Sequence, residues 1–124
     1  RRNYTVLGDK VNLASRVEGL TKFYGANIIV TQATQHEQPQ FVFRKLDKVR
    51  VKGKQHGIDI YELLCEADEL TPELQNELQE YHRALNAYFA KNWDESYGIM
   101  ETLHAAHPHK KIYSVYLDRI NTFK

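Results

Sequence analysis

The sequence predicts an α+β chain, with a mixed strand-and-helix first half and a wholly helical second half. Three observations lead there. Short β-friendly runs occur only in the first half, while apolar residues recur at helical spacing through the second. The charge also changes sign: residues 1–64 hold 11 Lys/Arg against 6 Asp/Glu, and residues 65–124 hold 6 against 10. Such asymmetry suggests two units with different tasks, the first suited to an anionic ligand.

The elements follow in order. Tyr4, Thr5 and Val6 open a short strand that ends at Gly8-Asp9, with Asp9 placed to cap a helix. From Lys10 to Phe23, Leu13, Val17 and Leu20 fall on one helical face, which Val11 and Ala14 widen. Tyr24-Gly25-Ala26-Asn27 stops this helix, and Ile28-Ile29-Val30 reads as a buried strand. Thr31 to Gln40 is polar and holds Pro39, giving a short helix or turn. Phe41 and Phe43 then alternate, as do Val49 and Val51, around a break at Lys45-Leu46-Asp47. This predicts two strands, or one with a bulge, and gives Asp47 a turn role. Lys52-Gly53-Lys54-Gln55-His56-Gly57 is a turn, and Ile58 and Ile60 open a strand returning to about Leu64.

After Cys65 the strand signals cease. Thr71-Pro72-Glu73 carries a helix start, with a capping threonine, proline in the first turn and a carboxylate near the positive dipole end. Leu74, Leu78, Tyr81, Leu85 and Tyr88 then share a face. Lys91-Asn92 breaks the pattern. A second helix runs from about Trp93 to Ala106 with Tyr97, Met100 and Leu103 inward, and Pro108 ends it. A third carries Ile112, Tyr116, Ile120 and Phe123 inward. Two antiparallel helices plus a lid are expected.

Composition narrows the functional classes. Hydrophobic residues at 42% and charged residues at 27% are ordinary globular values. No apolar stretch approaches the roughly 20 residues a membrane helix needs, and nothing near Arg1 reads as a signal peptide. A single cysteine, Cys65, excludes an internal disulfide framework and fits a reducing compartment. A cytoplasmic setting is expected, any membrane anchor of the whole protein falling upstream. The net charge of +1 predicts no nucleic-acid partner.

Candidate chemistry lies in the first half. Asn12 and Arg16, four residues apart on one helix, project side by side. An amide and a guanidinium together suit a ligand whose oxygens develop negative charge; taken alone, the pair is better read as part of a solvated helix face. Lys52-Gly53-Lys54 sets two ammonium groups around a glycine. It lacks the strand–loop–helix context of a phosphate-binding P-loop and is, alone, a hairpin tip. His104, His107 and His109 cluster without cysteine or carboxylate context, so they read as a polar helix terminus and not a metal site. Tyr81, Tyr88 and Tyr97 read as core aromatics.

Together these segments are more specific. The run from Tyr4 to Glu18, with Thr5, Asn12 and Arg16, closely resembles a signature of the class III nucleotidyl cyclases. So do Val51-Lys52-Gly53-Lys54 and Ile60-Tyr61-Glu62-Leu63 downstream, in the right order. The resemblance covers residues 1 to about 64 and implies the C-terminal half of a ferredoxin-like cyclase catalytic domain. It implies that Asn12 and Arg16 hold the ribose and phosphates at the transition state. Lys52 would contact the terminal phosphates, and Thr5 would select the base, favouring adenine and so ATP. The implied reaction closes cyclic AMP and releases pyrophosphate, with Mg or Mn as cofactor in the complete enzyme. The metal aspartates of the family lie in the half preceding this sequence, so neither Asp9 nor Asp47 is assigned to metal. The family builds its sites between two catalytic domains, which implies a homodimeric partner.

The tail, residues 65–124, is similar to a single tetratricopeptide-like unit through Ala84, Tyr88, Ser96, Met100 and Pro108, with Trp93-Asp94-Glu95 at the second helix start. One unit is fewer than the three or more that stable solenoids need, and an ordinary helical hairpin reads equally well. The expectation is part of a signalling adenylate cyclase, a lyase, with a protein partner for the tail. The competing reading is a non-catalytic nucleotide-binding, dimerisation or interaction module. Retention of Thr5, Asn12, Arg16 and Lys52 favours the enzyme.

Overall fold

A computed structural model of the chain describes residues 19–50 and 57–123. The chain divides into two compact units, Arg1–Glu69 and Leu70–Lys124. The architecture is α+β, with a three-stranded antiparallel sheet in the first unit and three helices in the second. The expected strand near Tyr4–Leu7, the Asp9 cap, the first turns of the following helix and the turn at residues 51–56 lie outside the described residues.

In the first unit, residues 19–24 are helical. Gly25 ends them at φ 71, and the Ala26 amide bonds the Thr21 carbonyl at 3.0 Å. This is a Schellman closure, which glycine adopts without the steric cost a Cβ would bring. Strand β1 (Ile29–Thr31) pairs with β3 (Gly57–Glu66), which also pairs with β2 (Phe41–Arg50), giving the order β1-β3-β2. Between β1 and β2 lies the short helix α1 (Gln32–His36), where the Thr31 hydroxyl accepts the Thr34 amide. β2 is one strand with register shifts at Val42/Phe43 and Lys45/Asp47, so the interrupted alternation marks a bulge. At Gly57 a side chain would run into the Lys48 stem and come within 3.2 Å of the Val49 carbonyl. The bare backbone there leaves room for Lys48 to reach Asp59. Leu20, Tyr24, Ile29, Leu46, Val49 and Ile60 form the core, Leu46 and Ile60 fully buried.

The second unit holds α2 (Pro72–Phe89), α3 (Trp93–Ala106) and α4 (Lys111–Phe123). The Thr71 hydroxyl accepts the Leu74 amide at 3.1 Å, satisfying one of the four unbonded donors that open a helix. Lys91, at φ 65, turns the chain into α3. Ser96 donates to the Ala84 carbonyl at 2.8 Å, both residues fully buried, so small side chains let α2 and α3 approach. Tyr81, Leu85, Met100, Tyr113, Tyr116 and Ile120 fill the interior. Leu74, Tyr88 and Tyr97 are only half-buried. Phe123, expected inward, is 54% exposed and stacks on Trp93 at 5.0 Å. It occupies the last turn of α4, where core cover ends. No described helix is long and apolar enough to cross a membrane.

Candidate functional site

Thr5, Asn12, Arg16 and Lys52 lie outside the described residues, as does the Lys52-Gly53-Lys54 turn. The elements next to them in sequence are described. Residues 19–24 are helical and fall at the end of the stretch predicted to be the helix carrying Asn12 and Arg16, and β2 runs to Arg50, two residues short of Lys52.

A buried hydrogen bond joins these two elements. The Tyr24 hydroxyl donates to Asp47 Oδ2 at 2.6 Å, and the Lys48 amide donates to Asp47 Oδ1 at 2.7 Å. Tyr24 is 4% and Asp47 6% exposed. The expected turn role of Asp47 is corrected here: it sits within β2, at the bulge, with its carboxylate in the core. The extra residue at the Lys45/Asp47 shift sets both Leu46 and Asp47 inward, which strict alternation would forbid. The interrupted alternation was the available signal, but it did not identify Tyr24 as partner.

Beside this pair, Arg44 Nε lies 3.5 Å from Glu62 Oε1 across β2 and β3. Lys45 Nζ and Lys48 Nζ approach Asp59 at 3.2 and 2.9 Å. Burial raises the Asp59 carboxyl, but hydrogen bonds and charge from Lys48 and Lys45 outweigh it and hold the group below the ordinary value. Burial, aided by the Asp59 charge, pushes the Tyr61 hydroxyl up. The Cys65 thiol is likewise raised, by burial and then by Glu69 and Asp68.

In the helical unit the histidine cluster contains a residue that the periodicity did not single out. Glu77, 7% exposed, accepts from Lys110 Nζ at 2.9 and 3.0 Å and from the Tyr113 hydroxyl, and His107 Nε2 lies 3.4 Å from it. A buried charge needs such partners, because desolvation without them is costly.

Among the described residues, no group of three or more His, Cys, Asp or Glu side chains converges as metal ligands would. Asp47 is engaged by Tyr24 and the Lys48 amide, and Asp59 by two lysines. These residues do not fit a metal pair.

The sequence model of the adenylate and guanylate cyclase catalytic domain matches residues 1–65. An adenylate cyclase of Anabaena cylindrica is 49% identical over 67 residues, covering 51% of this chain and 13% of the relative. The terminal-differentiation-specific adenylate cyclase of Dictyostelium discoideum is 33% identical over 124 residues, covering 96% of this chain and 6% of its own length. Adenylate cyclase 1 of Rhizobium meliloti (strain 1021) is 40% identical over 65 residues, covering 52% and 10%. The chain thus spans about a tenth of the length of these relatives. No solved structure matches it. The match over residues 1–65 takes in the Tyr4–Glu18 signature, Lys52 and β3 as far as Cys65, and on it the chain belongs to the adenylate and guanylate cyclase catalytic domain family.

Proposed function

We propose that this chain is part of an adenylate cyclase, in which residues 1–64 are the C-terminal half of the catalytic domain and residues 65–124 a helical tail that binds protein. What supports the reading is that the sequence signature with Thr5, Asn12, Arg16 and Lys52 lies within residues 1–65, the region the family match covers, and that the relatives are named adenylate cyclases. The substrate is ATP, and the site is completed by a second catalytic domain.

In the reaction the ribose 3′-hydroxyl gives up its proton to solvent water and its oxygen bonds the α-phosphorus. The bond from that phosphorus to the bridging oxygen breaks, and pyrophosphate leaves with the electron pair. Asn12 orients the sugar, and the Thr5 hydroxyl meets the adenine edge, able both to donate and to accept. Lys52 holds phosphate oxygens already charged in bound ATP, so it contributes mainly to binding. Arg16 faces charge that grows as the α-phosphate is attacked, which makes it a transition-state residue. No metal ligand is assigned within this chain.

Steady-state kinetics on the cyclase that contains this chain test the assignment. Arg16→Ala should lower kcat by roughly 10²–10³, as does loss of one preorganised donor to a developing anion. Lys52→Ala should chiefly raise KM. Arg16→Lys should rescue little, since an ammonium lacks the planar fork of donors. An Arg16→Ala enzyme with unchanged kcat would remove the residue from the mechanism.

A further inference from the structure

We infer that Tyr24 and Asp47 are positioning residues of the cyclase site, a buried clamp that sets helical residues 19–24, which follow Asn12 and Arg16 in sequence, against β2, which precedes Lys52. The inference rests on the reading of the site given above and adds two residues to it.

Tyr24 follows Arg16 by eight residues, just past the stretch Lys10–Phe23 whose apolar spacing predicts one helix, and residues 19–24 are helical. Asp47 precedes Lys52 by five. Their hydrogen bond, 2.6 Å long, joins positions 23 residues apart. It therefore ties the helix end to the strand directly, without passing through the intervening β1 and α1. The second carboxylate oxygen is held by the Lys48 amide, which fixes the orientation of the carboxylate toward Tyr24.

Stability alone does not require a polar pair here. Two apolar side chains of similar shape at buried positions are often as stable as a hydrogen-bonded pair. What apolar packing lacks is direction. Non-directional packing of Leu20 and the Tyr24 ring would tolerate small rotations, whereas a hydroxyl–carboxylate bond favours one. The lever is sensitive: turning a helix by about 10° moves a group about 6 Å from its axis by about 1 Å. A displacement of that size can cost about 100-fold in rate when it spoils alignment at the reacting atoms. The bulge serves the same end, since the extra residue brings Asp47 inward in addition to Leu46.

The test uses the cyclase containing this chain, with Tyr24→Phe, Asp47→Asn and the pair Tyr24→Phe/Asp47→Leu. Each should lower kcat about tenfold while KM for ATP changes less than about twofold. The apolar pair should regain most of the thermal midpoint lost in Tyr24→Phe without regaining kcat. On an Arg16→Ala background, Tyr24→Phe should cost less than a further twofold, because the clamp acts through Arg16. Tyr24→Phe with kcat within twofold of wild type, or recovery of kcat together with stability in the apolar pair, would overturn the clamp while leaving the Arg16 and Lys52 assignments intact. An Arg16→Ala enzyme that keeps its kcat would instead overturn the site itself, and the clamp with it.

Discussion

Glu77→Ala removes a carboxylate that is 7% exposed and accepts from Lys110 and Tyr113. The cost can be worked out group by group. The Lys110 and His107 side chains are 30% and 32% exposed, so water takes over their hydration, and each contributes at most about 1 kcal/mol. Tyr113 is fully buried, and losing the bond from its hydroxyl costs about 1–3 kcal/mol. Deleting the buried methylene adds about 0.8 kcal/mol. A loss of about 3 kcal/mol is expected, or about 12–24 °C in the thermal midpoint of a unit this small. Trp93, the single tryptophan, opens α3 and stacks on Phe123, so its fluorescence in a urea titration follows the helical unit by itself. Circular dichroism provides the second probe. Tyr113→Phe and the double variant close a cycle whose coupling energy should be about 1–2 kcal/mol. A Glu77→Ala protein within about 0.5 kcal/mol of wild type, the range of ordinary surface changes, would refute the view that this carboxylate holds α2 to the α3–α4 connection. So would effects of Glu77 and Tyr113 that simply add.

Three further outcomes are expected. The purified 124-residue chain should form no cyclic AMP with Mg or Mn, since Asp47 and Asp59 are engaged by protein donors and the proposed site is completed by a second catalytic domain; turnover in a cyclic-AMP immunoassay would contradict this. In the cyclase containing this chain, ATP should exceed GTP in kcat/KM and Thr5→Cys should erode the preference; a higher value for GTP would reject the adenine assignment. The Asp59 carboxyl is held below its ordinary value of 3.8, so its stabilising contribution is present above that value and is lost as pH falls through the folded-state value. Asp59→Asn should therefore flatten the acid limb of the urea midpoint against pH, and an unchanged limb would show that the Lys45 and Lys48 contacts carry no linkage.

Local chemistry made much of this protein legible in its sequence. Thr71-Pro72-Glu73 marked the start of α2, because capping and proline preferences act within one turn. Gly25 marked the end of the preceding helix, because only a residue at ease with positive φ closes a Schellman turn cheaply. The interrupted alternation at Lys45-Leu46-Asp47 marked the bulge in β2, and the order of the cyclase motifs marked the family. Thr5, Asn12, Arg16 and Lys52 were nameable as candidates for the same reason: motif positions are counted along the chain.

Tertiary structure decided the matters that depend on partners distant in sequence. Asp47 read as a turn residue because aspartate in a strand is unfavourable on local grounds; it is buried because Tyr24, 23 residues away, supplies its donor. Glu77 fell outside the apolar stripe of α2, yet it is in the core because Lys110 and Tyr113 arrive from 33 and 36 residues further on. Phe123 matched the stripe of α4 and remains exposed, since periodicity says which residues share a face but not where the neighbouring helix stops covering it. A hydrogen bond satisfies a buried charge only when its partner is brought within about 3 Å, and for residues this far apart along the chain that distance is set by the fold.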